Sequence, residues 1–112
     1  MALFRLFLVV WLVAIVAYTS VTIANHGLNL LPVFFGDMAE MAWPGQFNLD
    51  FMGFLALSAI WVAWRHQFSA AGLGLAVLAF FGGMLFLTIY LLIQSARTGG
   101  DVKLLLLGPG RG

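Results

Sequence analysis

The 112-residue sequence has no cysteine, which excludes disulfides, thiolate metal sites, iron–sulfur ligation and cysteine nucleophiles together and leaves the redox compartment open. Charge is almost as scarce. Five Lys and Arg against four Asp and Glu make up 8% of the chain and leave a net charge of +1, so no electrostatic footprint for nucleic acid exists. What is abundant is apolar: 63% of residues are hydrophobic and the mean hydropathy is +1.07. A soluble domain of this size would lack the polar surface to coat itself, so the composition implies one small integral membrane domain.

A bilayer core of about 30 Å takes roughly 20 apolar residues in a helix rising 1.5 Å per residue. Three such stretches occur, with helices expected over about residues 4–25, 44–66 and 70–97. The second reaches across only if it starts near Pro44 and takes Gln46 and Asp50 with it, and Pro44 suits a first helical turn. Trp43, Trp61, Trp64 and Tyr90 fall toward predicted ends, at headgroup depth. The first stretch exceeds the core of a cleavable signal and has a single Arg before it, so it reads as an anchor that stays. An interfacial or re-entrant segment is expected over about residues 31–42, and a tail over residues 98–112. The fold class expected is therefore all-α: a multi-pass, three-transmembrane-helix bundle in a single domain, 1–112.

Three crossings place Arg5 and the Arg65–His66 turn on one side, with the 25–43 loop and the tail on the other. Arg5, Arg65 and the terminal amine then oppose Arg97, Lys103 and Arg111, and this balance leaves orientation to the first helix, which favours an inside amino terminus.

Polar or small side chains at helical spacing mark the faces that meet protein rather than lipid. Gly72, Ala76, Ala79 and Gly83 form such a stripe, which continues through Tyr90, Gln94 and Arg97. Gln46, Asp50, Gly53, Leu57, Trp61 and Trp64 share a stripe on the second helix; Trp11, Tyr18, Thr22 and Asn25 share one on the first. In a straight hairpin Asp50 lies opposite residues 86–90. The expected site is a polar pocket in one leaflet walled by Tyr18, Thr22, Asn25, His26, Gln46, Asp50, Tyr90, Gln94 and Arg97, with helix packing at Gly53, Gly72, Ala76, Ala79 and Gly83. Arg97 is the expected cationic partner of Asp50 and Tyr90 its hydroxyl donor. A capping role for Asp50 at the start of its helix is the competing reading.

His26 and His66 fall on opposite membrane faces, so together they ligate nothing; His66, beside Arg65, reads as a solvated turn residue. No carboxylate–histidine spacing of a metal site occurs, and no metal or cofactor is expected. The serines lack a neighbouring base, and Gly82-Gly83 and Gly99-Gly100 do not follow strands as a phosphate loop requires. Catalysis, if any, is proton transfer by Asp50 with Tyr90 or His26 on an apolar substrate.

The segment Trp43-Pro44-Gly45-Gln46-Phe47-Asn48-Leu49-Asp50-Phe51, with Ser58, the Trp61-Val62-Ala63-Trp64-Arg65 run, Gly82-Gly83, Tyr90-Leu91-Leu92 and residues 105–108, resembles a family of short three-span membrane proteins of plants and microbes that is known as a domain of unknown function. The resemblance covers about residues 43–108. It implies a compact three-helix membrane domain with Asp50 and residues 61–65 among its recurring features, and no activity.

The leading functional expectation is an accessory or assembly subunit whose Gly/Ala face packs on another membrane protein or on its own copy in the bilayer, with a bacterial inner membrane as the expected location. The alternatives are a lipid- or isoprenoid-type ligand binder or membrane enzyme using Asp50, and a dimeric small transporter.

Overall fold

A computed structural model describes residues 1–109, and every regular element among them is a helix: α1 (Ala2–His26), α2 (Leu30–Ala39), α3 (Trp43–Arg65), α4 (Ala70–Arg97) and α5 (Val102–Leu107). Three of them, α1, α3 and α4, are long and apolar enough to cross a membrane, and they pack as a bundle. The fold is all-α and of the membrane type.

Local chemistry sets the helix ends. Pro44 occupies the first turn of α3, where its missing N–H breaks no hydrogen bond. Ser69 caps α4, its Oγ accepting from the Gly72 N–H at 3.1 Å. The Asp101 carboxylate caps α5 by accepting from the N–H groups of Lys103 and Leu104 at 3.0 and 3.2 Å. The Gly45 backbone is pressed against Asp37 and Met38, where a Cβ would collide with main chain, so α2 lies directly on the first turn of α3. Asn48 Nδ2 reinforces that contact by donating to the Phe34 carbonyl at 3.0 Å.

The path of α4 departs from a straight rod. Gly83 has φ 55° and ψ −135°, a conformation outside the helical region and open in practice only to glycine. Gly72 packs on the Cβ of His66, while the Tyr90 hydroxyl lies 2.7 Å from Nε2 of that same residue. On a straight helix Gly72 and Tyr90 would be about 27 Å apart, beyond the combined reach of one histidine and one tyrosine. The axis therefore turns through more than a right angle at Gly83, and residues 84–97 return alongside α3 toward the end that residues 70–82 left.

The small-residue stripe of residues 70–83 packs inside the chain. Gly72 faces Ala63 of α3 and His66 just beyond its end, and Gly83 faces Phe51 and Leu55 of α3. Ala79 is fully buried with Val62 and Tyr90 at the centre of the core. Gly53 is different: it is exposed and has open space at its Cβ position.

Because α4 doubles back, the placement of the tail is corrected. Arg5 of α1 donates to Ser95 from Nε (to Oγ, 3.0 Å) and Nη2 (to the carbonyl, 3.0 Å), and Met1 lies against Gly100. The start of α1, the end of α3, both ends of α4 and α5 all gather at one end of the bundle. The α1–α2 loop, α2 and the start of α3 occupy the other.

Candidate functional site: an apolar cleft closed by a docked tail helix

Residues 84–97 run beside α3 with a gap between them. The resulting cleft, about 610 Å³, is lined along α3 by Phe51, Phe54, Leu57, Ser58 and Trp61 and along α4 by Gly83, Met84, Leu87 and Leu91, among others. Phe4 of α1 and Leu105 and Leu106 of α5 close its end. The volume falls within the roughly 300–1,000 Å³ of ordinary small-molecule sites. Its walls are almost wholly apolar. Ser58 Oγ is the exception: among the described residues it is the buried side-chain polar atom without a hydrogen-bond partner. Buried hydroxyls are as a rule satisfied, and this orphan one is shut off inside the cleft wall, so a ligand oxygen reaches it when the side chains over it move.

The cleft keeps its shape because α5 is held down, and a buried cation holds it. Arg65 is only 2% exposed. Its Nε donates to the Leu105 carbonyl at 2.6 Å, Nη2 to the Leu104 carbonyl at 3.3 Å and Nη1 to the Tyr90 hydroxyl at 3.1 Å. Trp61 Nε1 donates to the Leu106 carbonyl at 3.0 Å. The last carbonyls of a helix have no intrahelical partners, and they carry the negative end of its dipole, so a guanidinium and an indole N–H complete the end of α5. The guanidinium carbon also lies 5.8 Å from the centroid of the Tyr90 ring, in cation–π range. Gly108 follows with φ 82°, and a side chain there would strike the Arg65 carbonyl.

Tyr90 links this clamp to the α3–α4 turn. It accepts from Arg65 Nη1, and its oxygen also shares a hydrogen bond with His66 Nε2 at 2.7 Å, in which the direction follows the histidine tautomer. Burial, and then the adjacent Arg65 charge, hold the His66 pKa below its ordinary value of 6.5. His66 is thus part of a hydrogen-bond network, which corrects its reading as a solvated turn residue.

The polar pocket expected from the sequence is not assembled. Asp50 and Gln46 are exposed on the outer part of α3, and Asp50 stands 15 residues, about 22 Å of helix, before Arg65. Tyr90 is buried with Arg65 and His66, so Asp50 has neither Tyr90 nor Arg97 beside it. Arg97 is exposed at the far end of the bundle, and Gln94 is half-buried just before it. Tyr18, Thr22, Asn25 and His26 do share a shallow groove with Ala14, Ala17 and Val21, yet all belong to α1 and all are exposed. The Thr22 hydroxyl is already donated to the Tyr18 carbonyl at 2.9 Å. One cause underlies the separation: residues 84–97 run parallel to α3 where a straight hairpin would have made them antiparallel. Arg65, Ser58 and α5 are the side of the site that stripe reasoning missed, while Trp61 lay on the α3 stripe but was read as a headgroup-level ring; the Gly82-Gly83 pair inside a long apolar helix was the available signal.

Among the described residues, no group of three or more His, Asp or Glu side chains could hold a metal ion. Compared with protein families, curated proteins and solved structures, the chain matches none.

Proposed function

We propose that this is an integral membrane protein that binds an apolar, lipid- or isoprenoid-type molecule bearing an oxygen function, with its chain between α3 and residues 84–97 and its oxygen at Ser58. The single observation behind this reading is the cleft: a space of about 610 Å³ with apolar walls and one unsatisfied hydroxyl. The Gly/Ala stripe lends less support to a partner-binding role, because α3 already occupies it. Accessory-subunit or oligomeric behaviour draws instead on α1, whose residues 16–26 are exposed all round and carry Tyr18, Asn25 and His26 at membrane depth.

The test is native mass spectrometry of the protein after mild extraction and after incubation with a total membrane lipid extract. Wild type is expected to carry a bound lipid, Leu87→Trp to lose it by filling the cleft, and Ser58→Ala to bind it more weakly. An empty wild type, or equal retention by Leu87→Trp, refutes the reading. A protein that co-purifies in the same experiment would support the subunit role.

A further inference from the structure

The fold-back at Gly83 changes how the chain can sit in a bilayer. Residues 70–82 and 84–97 each make about 20 Å of helix, against a hydrocarbon thickness of about 30 Å, so neither half crosses alone. Irregular backbone at membrane depth is tolerated where it is buried in protein or lines a cavity, and Gly83 is half-buried against Phe51 and Leu55 of α3 at the edge of the cleft. Arg5 and Ser95 are hydrogen-bonded, and Arg65 grips α5, so both ends of α4 lie at the end of the bundle where α1 starts.

Charge supplies an independent observation. Under three straight crossings the basic residues divide evenly between the two sides. With α4 folded back, Arg5, Arg65, Arg97 and Lys103 all lie at one end, while Asp37 and Glu40 lie at the other, which has no Lys or Arg among the described residues. A balanced distribution becomes wholly one-sided. Cytoplasmic segments of membrane proteins carry the excess of Lys and Arg, so this asymmetry among the described residues favours the same inside amino terminus as the first helix, now on an independent ground.

We propose that α4 is a re-entrant hairpin: α1 and α3 cross the membrane, α4 enters and leaves on the cytoplasmic face with Gly83 at its tip, and Arg5, the 66–69 turn and α5 all lie on that face. The cleft then lies in the cytoplasmic half of the bilayer, running from Gly83 and Phe51 at mid-depth to Trp61 and α5. If the ligand-binding reading holds, on which this one consequence rests, the ligand is drawn from the inner leaflet.

The cysteine-free chain allows each introduced thiol to report alone. Leu28→Cys, Gln67→Cys and Val102→Cys, all neutral exposed sites, would be expressed singly in bacterial cells and treated as spheroplasts with a membrane-impermeant maleimide, before and after permeabilisation. Leu28→Cys is expected to label in intact spheroplasts, and Gln67→Cys and Val102→Cys only after permeabilisation. Labelling of Gln67→Cys and Val102→Cys from opposite sides overturns the re-entrant path. Labelling of both from outside, with Leu28→Cys protected, overturns the orientation. Met41→Cys, Phe68→Cys and Thr98→Cys report on the same three segments, so loss of one variant to misfolding leaves the test intact. The outcome is independent of whether any lipid is bound.

Discussion

The Tyr90 hydroxyl lies 2.7 Å from Nε2 of His66, 24 residues earlier in the chain. That contact requires α4 to reverse, and the reversal in turn opens the cleft, delivers α5 to Arg65 and gathers the basic residues at one end. Each consequence can be tested by changing a single side chain.

Gly83→Ala should be costly for a backbone reason. At φ 55° and ψ −135° a Cβ strains the main chain by about 1–3 kcal/mol, while the nearest side-chain atom, Phe51 Cζ at 3.2 Å, can move aside. Gly74→Ala is the control. It lies in regular helix with open space around it, and should be neutral or stabilising by about 0.5–1 kcal/mol. Thermal unfolding in detergent should separate the two; equal melting temperatures would mean that Gly83 does not hold this conformation.

Arg65→Met should release α5. The substitution leaves the Leu105 carbonyl without a partner and strips Leu104 of one of its two donors, the Gly108 N–H remaining; hydrogen bonds from a charged donor contribute about 1.5–3 kcal/mol each. Arg65→Lys should rescue little, since an ammonium cannot reproduce the guanidinium fork that reaches two carbonyls and a hydroxyl at once. Hydrogen exchange of residues 102–107 is the measurement. Protection unchanged in Arg65→Met would show that the clamp does not hold the tail helix.

Acid should loosen the same network through His66. Its folded-state pKa lies below the unfolded value, so between the two the unfolded chain binds more protons, and stability must fall as pH drops. The stability tied to neutral His66 is complete above about pH 6.5 and is lost as pH falls toward its depressed folded-state pKa. Melting temperature in detergent between pH 7.5 and 5 should decline more for wild type than for His66→Gln. Parallel profiles would remove His66 as the source.

Much of the architecture was legible in the linear pattern. Apolar run length locates the three long helices and Pro44 marks the start of one; of the small-residue stripe, Gly72, Ala79 and Gly83 lie against the preceding helix and its cap. The site was far less legible. Asp50 draws attention as a carboxylate in an apolar helix, yet it is exposed; the buried charge is Arg65, which sits at a helix end where a solvated turn is the natural reading.

That the protein is helical, of the membrane type and without the side chains for a thiolate site can be read from residue order alone, because these depend on composition and on spacing along a single helix. Which side chains meet is set by how the helices fold together. One glycine in a conformation closed to other residues reverses the second half of α4, and a dihedral angle leaves no trace in hydrophobic periodicity. Tyr90 therefore pairs with Arg65 and His66 rather than Asp50, and Leu105 and Leu106 of the tail become the end wall of a cleft.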